Sequence, residues 1–150
     1  MNRPGVELIA AADARPLRQR ILRPGLPEAQ SVYPDDEADT SVHVGIRVDG
    51  TLVSVSSFFV ESTPGSERAA VRIRGMATLP EFRGRGYGRD LVDFGLSHTP
   101  LQDYAEAWCN ARLTAAGYYQ KLGFCSVGEQ FELPGIGPHV VMVRAIHSSR

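Results

Sequence analysis

The residues best placed to do chemistry form a glycine-rich turn, Arg83-Gly84-Arg85-Gly86-Tyr87-Gly88. Val71, Ile73, Met76 and Thr78 before it suit a strand, which Leu79-Pro80 stops. Tyr87, Leu91 and Phe94 after it, with Val92 and Leu96 beside them, repeat at helical spacing. A helix therefore opens at the turn, and a helix N-terminus presents unpaired N–H donors and about half a positive charge. That suits a pyrophosphate, and glycine is needed because side chains would clash with a phosphate held this close. The ordinary alternative is a glycine turn that binds nothing. Two phosphate motifs fail: Gly88-Arg89-Asp90 lacks the lysine and hydroxyl of a Walker A loop, and G-x-G-x-G is not the dinucleotide spacing G-x-G-x-x-G. What stands is Arg-x-x-Gly-x-Gly from Arg83 to Gly88, preceded by Pro80-Glu81-Phe82.

The elements that position this turn follow in order. Val6 to Ala10 reads as a first strand. Asp13 is expected to cap a helix from Ala14 to about Leu22, with Leu17, Ile21 and Leu22 on its buried face. Leu26 to Val32 suits a short helical turn, and the acidic run from Pro34 to Asp39 suits a solvated loop. Ser41–Val48 and Thr51–Val60 form a hairpin across Asp49-Gly50, with Val42, Val44 and Ile46 alternating against His43 and Arg47 as in a strand buried on one face. Glu61 to Arg68 reads as a surface connection, and Gly75 breaks the next strand as a bulge would. Thr99-Pro100 ends the central helix. Tyr104 to Cys109 gives a strand, and Asn110 is expected to cap a helix from Ala111 to Leu122, closed by Gly123 in the left-handed C′ position. Cys125–Phe131 and His139–Ala145 are the last strands, and a frayed tail begins at His147.

Bulk properties narrow the function classes. A chain of 150 residues is expected to be one domain with a real core. Its formal net charge of -1 supplies no field for nucleic acid. The sequence has no apolar run long enough for a membrane span and no signal peptide, so no membrane partner is expected. Cys109 and Cys125 are too few for a disulfide framework and lack metal-ligand spacing. They suit reduced thiols and a cytoplasmic protein without a bound metal.

The Arg83–Gly88 signature resembles the acetyl-CoA-binding motif of the GCN5-related N-acetyltransferases, the GNAT superfamily. A second stretch, Ala116-Gly117-Tyr118-Tyr119-Gln120-Lys121-Leu122-Gly123-Phe124, resembles that family's later helix and its Tyr-x-x-x-Gly-Phe ending. The chain looks most like the small ElaA-type branch, which carries a similar turn to Pro134-Gly135-Ile136-Gly137-Pro138-His139. The resemblance implies an α/β GNAT fold over residues 1–150. Its sheet would be mixed and mostly antiparallel, with about seven strands splayed between strands 4 and 5 and about four helices. The activity implied is transfer of acetyl from acetyl-CoA to an amine of a small molecule or peptide. A non-catalytic acyl-CoA sensor is the second reading, and a nucleotide-binding protein of another fold the third.

The same resemblance assigns residues. Met76 and Thr78 would pair with the pantetheine arm, and Arg83, Gly84, Arg85, Gly86, Tyr87 and Gly88 would hold the pyrophosphate. The N–H of Ala77 would stabilise the oxyanion. Tyr118 and Tyr119 both qualify by periodicity as proton donor to the leaving thiolate, and the motif selects Tyr119, which would also touch the cofactor. Asn110 would combine a helix cap with a cofactor contact, and the acidic run would form one wall of an amine-binding mouth. Relatives carry a glutamate base on the central strand, where this chain has Arg72 and Arg74. That leaves Glu132, His139, His43 or a water relay, with His139 as the leading candidate. The two arginines either hold an anionic part of the acceptor or pack on the surface. Dimers are frequent among similar proteins, so a homodimer is possible.

Overall fold

Strand β1 (Val6–Leu8) is followed by helix α1 (Ala11–Leu17), then by strands β2 (Val42–Val48), β3 (Thr51–Val60) and β4 (Val71–Thr78). Helix α2 (Tyr87–Ser97), strand β5 (Glu106–Arg112), helix α3 (Ala116–Lys121) and strands β6 (Cys125–Leu133) and β7 (Gly137–Ala145) complete the order. These elements belong to a computed structural model that describes residues 3–98 and 101–147. The expected helix stop at Thr99-Pro100 and the tail beyond His147 lie outside the described residues. Hydrogen bonding orders the sheet β1-β2-β3-β4-β5-β7-β6, a mixed and mostly antiparallel arrangement of seven strands. The chain divides into two compact units, Met1–Phe59 with Ile73–His98, and Val60–Arg72 with Thr99–Arg150.

In the first unit β1 and β2 are antiparallel, with Glu7 opposite Gly45, and β2 turns into β3 across Asp49-Gly50. Both turn residues have positive φ, 52° and 81°, as a type I′ hairpin requires. The expected one-sided strand does not appear here: Val42 to Ile46 are all buried, as are Val53 to Phe59. Both α1 and α2 pack on β2, and a sheet covered on both faces buries alternate polar positions along with the apolar ones. His43 is buried for that reason.

Helix α1 starts earlier than Asp13. Its N-cap is Ala10, and Asp13 accepts the Ala10 N–H at 3.2 Å from the third helical position. Pro16 offers no N–H, and the helix widens into a π-turn over Arg18–Leu22. Its buried face is Ala11, Ala14, Leu17 and Arg18, while Ile21 and Leu22 stay half-buried.

Helix α2 buries Tyr87, Leu91, Val92, Gly95 and Leu96. A Cβ on Gly95 would lie 2.2 Å from Cε1 and Cζ of Phe58, itself fully buried. Gly95→Ala is therefore expected to destabilise the protein. The strain of overpacking, about 1–3 kcal/mol, outweighs the roughly 1 kcal/mol that Ala gains over Gly in a helix. A lower urea midpoint would record it, and a raised midpoint would refute it.

In the second unit β5 pairs with β7 along its whole length, and β6 pairs with β7 around a register shift between Val127 and Phe131. β4 meets β5 in parallel only at Val71↔Ala107 and Arg72↔Trp108. Arg72 stacks over the Trp108 ring at 4.8 Å and pairs with Glu61 at 3.2 Å, while the indole N–H donates to the Glu61 carbonyl at 2.8 Å. The end of α3 matches the expected cap. Gly123 has φ +96°, and its N–H donates to the Gln120 carbonyl at 3.0 Å.

Candidate functional site

The glycine turn is built from β4's last residues onward. The Leu79 N–H donates to the Val53 carbonyl at 2.8 Å, anchoring the strand end. Pro80–Phe82 makes one 3-10 turn. Gly84 and Gly86 then take φ +77° and +81°, in the left-handed region open to glycine at little cost, and Gly86 is the N-cap of α2. The arginines between them brace the backbone. Arg83 Nε donates to the Thr78 carbonyl at 3.3 Å, and Arg85 Nη2 donates to the Glu81 carbonyl at 3.2 Å while its guanidinium covers the Phe82 ring at 4.8 Å. Tyr87 is buried and stacks on Phe82. Gly88 is buried one residue further on.

The space over Gly84 is open, while the Arg3 guanidinium stands over Gly86. A Cβ on Gly84 would meet nothing within 4 Å, and one on Gly86 would meet only the Arg3 guanidinium, 3.1 Å away. Arg3 donates through Nε and Nη2 to Asp90 Oδ2, at 3.1 and 2.6 Å, in the first turn of α2. Donor N–H groups at the start of the helix, a helix dipole and an adjacent arginine form a seat whose chemistry fits a phosphate.

Upstream of the turn, Met76 and Thr78 are half-buried and Ala77 is buried. The Thr78 hydroxyl shares a 2.7 Å hydrogen bond with that of Ser54. Gly75 has φ +66° inside the continuous strand Val71–Thr78, where a bulge was expected. A Cβ there would come within 2.9 Å of Arg18 Nε and 3.1 Å of Tyr33 Cε2.

Around Gly75 lies a buried ionic group that the sequence does not announce. Arg18 is fully buried and forks onto Asp36, with Nη1 at 2.8 Å from Oδ2 and Nη2 at 3.0 Å from Oδ1. It also donates to the Ser31 carbonyl at 3.0 Å and to Ser57 Oγ at 2.8 Å, and its guanidinium covers the Tyr33 ring at 4.1 Å. Arg74 covers the same ring at 4.0 Å. Burial alone would raise the Asp36 carboxyl, but hydrogen bonds from Arg18 and the Tyr33 N–H, with the Arg18 charge, hold it below the ordinary carboxylate value. The acidic run is thus not wholly solvated, nor is Asp36 open to an amine: only Asp35, Glu37 and Asp39 of its acids are exposed.

His43 belongs to the same group. Its Nε2 lies 2.9 Å from the Asp36 carbonyl, which can only accept, so Nε2 carries the ring proton. Nδ1 is then an acceptor, 2.7 Å from Ser57 Oγ. Burial, assisted by the Arg18 charge, pushes the His43 pKa down against the pull of the Asp36 carbonyl. The ring is neutral, with its one lone pair occupied inside the cluster.

In the second unit, Asn110 is not a helix cap. It lies within β5 opposite Val141, and the following helix starts only at Ala116. Its side-chain Oδ1 is buried with no hydrogen-bond partner, a loss of about 1–3 kcal/mol that a ligand N–H would relieve. Tyr119 stays half-exposed, edge-on to Phe124 at 5.7 Å and to Tyr118 at 5.5 Å. The protein mass around its phenol, with lesser effects from Cys109 and Tyr118, raises its pKa, so it stays protonated at neutral pH. Tyr118 is the more exposed ring, at 45%. His139 is buried opposite Arg112, donates Nδ1–H to the Gly137 carbonyl at 2.8 Å and lies against Phe131. Glu132 is exposed on β6. Burial pushes the Cys109 thiol up to about 12 despite the Arg72 charge.

A mixed seven-stranded α/β sheet with a glycine turn opening its central helix is an acetyltransferase architecture, and comparison with known proteins gives the family. Residues 11–124 match the acetyltransferase (GNAT) family profile. The uncharacterized N-acetyltransferase YitI of Bacillus subtilis (strain 168) is 41% identical over 146 residues, covering 97% of this chain and 98% of that one. Among solved structures, Escherichia coli ElaA shares the fold at a TM-score of 0.73 and 19% identity, over 95% of this chain and 99% of its own. The Escherichia coli GNAT protein YhbS, solved in complex with CoA, superposes at 0.72 with 19% identity, over 98% of this chain and 83% of its own. The chain belongs to the GNAT acetyltransferase family. Among the described residues, no helix is long and apolar enough to cross a membrane.

Proposed function

We propose that this protein is an acetyl-CoA-dependent N-acetyltransferase that works as one domain on the amine of a small molecule or peptide. The observation that carries the reading is the glycine turn with Gly84 and Gly86 in the left-handed region, ending at the N-cap of α2, open at Gly84 and faced by the Arg3 guanidinium at Gly86. In this reading Arg83 to Gly88 hold the pyrophosphate and Met76 and Thr78 pair with the pantetheine amides. Asn110 Oδ1, buried without a donor, suits a ligand amide. Acetyl-CoA supplies an activated acetyl thioester. The Ala77 N–H is assigned to the oxyanion, and holding amine and thioester together accounts for about 7–11 kcal/mol of the barrier. Direct attack is favoured over a cysteine relay because Cys109 is held as a thiol. The Pro134-Gly135-Ile136 turn supports an assignment to the ElaA-like branch, and two unpaired cysteines suit the cytoplasm.

Tyr119 is assigned the proton donor to the leaving sulfur, on its place in the Tyr-x-x-x-Gly-Phe motif and its protonated phenol. His139 is the assigned base, its Nδ1–H anchored on Gly137 so that only Nε2 is basic. Tyr119→Phe is expected to lower amine-dependent release of coenzyme A thiol by about 10²–10⁴-fold, with thermal stabilisation by coenzyme A retained. A sensor module would show no turnover to lose, and an unchanged rate would remove Tyr119 from the reaction.

A further inference from the structure

We propose that Arg3, far ahead of the glycine signature in the chain, is a binding residue for the cofactor's diphosphate. Asp90 orients its guanidinium, and the edge of the fork that faces Gly86 takes a phosphate oxygen. This rests on the cofactor reading above.

The fold brings Arg3 to the turn. It stands three residues before β1, and α2 packs against β1 as well as β2, so the arm leading into β1 runs beside the first turn of α2. The guanidinium lies over the Tyr87 ring at 5.7 Å, and its Nη2 is 3.1 Å from where a Cβ on Gly86 would be. Tyr87 is buried and stacked on Phe82, so the shelf under the guanidinium is fixed before any ligand arrives. Arg83 and Arg85 brace backbone carbonyls instead, and the guanidinium that faces Gly86 comes from outside the signature.

The pair with Asp90 leaves Arg3 competent to bind. Both of its hydrogen bonds, from Nε at 3.1 Å and from Nη2 at 2.6 Å, fall on the single oxygen Oδ2, and Nη1 takes no part in them. The two side chains are 55% and 32% exposed, and a solvated pair of this kind holds weakly. A diphosphate brings more negative charge and more acceptor oxygens than one carboxylate, so it draws Nη1 and Nη2 while Nε keeps the Asp90 contact. A Cβ on Gly5 would meet nothing within 4 Å, which gives the arm room for that adjustment. Arg3 also offsets a carboxylate in the first turn of α2 that would otherwise repel the phosphates.

The test is isothermal titration with coenzyme A and with dephospho-coenzyme A, which keeps the diphosphate and lacks the separate 3′-phosphate. Wild type, Arg3→Gln, Asp90→Asn and the double variant are compared at one low ionic strength. Arg3→Gln is expected to raise Kd about tenfold for both ligands, as loss of a charge-assisted hydrogen bond should. The loss stays severalfold when Asp90→Asn has already removed the carboxylate. The pair is exposed, so circular dichroism and ligand-free Tm remain close to wild type in every variant. An unchanged Kd in Arg3→Gln overturns the proposal. So does a loss confined to coenzyme A, which would put Arg3 on the 3′-phosphate. A loss that vanishes in the Asp90→Asn background overturns it too, because Arg3 would then be only the counter-ion of Asp90. Failure of the wild-type protein to bind either ligand defeats the cofactor reading instead, so the two failures are told apart.

Discussion

Gly86→Asp is expected to abolish stabilisation of the protein by coenzyme A while leaving it folded. Gly86 is the N-cap of α2 at φ +81° and ψ 13°, a conformation that Asp tolerates better than most residues. A carboxylate at an N-cap is also accepted by the helix dipole and its orphan N–H groups. Its Cβ would lie 3.1 Å from Arg3 Nη2, the far end of a flexible cation, so local charge favours the substitution further. What the carboxylate removes is the proposed seat: it would occupy the donors assigned to phosphate and repel the anion. At coenzyme A a hundredfold above Kd, binding stabilises by about 2.7 kcal/mol. For a chain of this size that is a Tm increase of roughly 5–10 °C. The variant should show none of it, with a native circular dichroism spectrum and a ligand-free Tm lowered by a few degrees, since a side chain at this φ costs about 1–2 kcal/mol. A retained shift would remove the pyrophosphate from this turn.

Asp36→Asn is expected to be among the most damaging loop substitutions in the protein, because the carboxylate is buried. Arg18 is fully buried, and Asp36 supplies its forked carboxylate partner. Removing one member of a buried pair strands the other charge, at about 3–5 kcal/mol. That amounts to a fall in Tm of roughly 6–20 °C. The same cluster sets the acid limit of stability. His43 and Asp36 both have folded pKa values below their ordinary ones, so each binds its proton more readily in the unfolded chain. The His43 contribution is complete above 6.5, its ordinary value, and is lost as pH falls toward and through its lower folded value. Asp36 adds a second loss below 3.8. Arg15, Arg18, Glu37 and Tyr33 face these two groups, and the arginines keep their charge throughout. Urea midpoints should therefore fall from pH 7 to 5, and His43→Gln should flatten that decline. A flat wild-type profile over the same interval would contradict the neutral, buried imidazole.

The two predictions draw on opposite kinds of information. The seat for phosphate is local: a strand stop at Leu79-Pro80, glycines two apart and a helical repeat from Tyr87 are each decided within a few residues. The Asp49-Gly50 hairpin and the Gly123 helix stop are legible for the same reason, since positive φ is a property of one residue and its neighbours. Asn110 shows where local signals mislead. Asn is a good N-cap, and Ala111 to Leu122 carries helix-forming residues. Yet antiparallel pairing of Asn110, Ala111 and Arg112 with Val141, Val140 and His139 carries the strand three residues on and delays the helix to Ala116. Ladder bonds to a strand thirty residues away outweighed the cap.

The buried cluster is the stronger case. Nothing within α1 separates Arg18 from an exposed helix arginine, and nothing in the acidic run sets Asp36 apart from its neighbours. Their pairing joins residues eighteen positions apart, with His43 and Ser57 brought in by two further strands. The amino-acid sequence by itself determined the family, the order of the elements and the glycine turn that opens α2, because short-range conformational preference and local motifs suffice for these. Only the tertiary structure decided which charges are buried and which carboxylate is consumed. Those depend on solvent exclusion, a property of packed elements that no single segment contains.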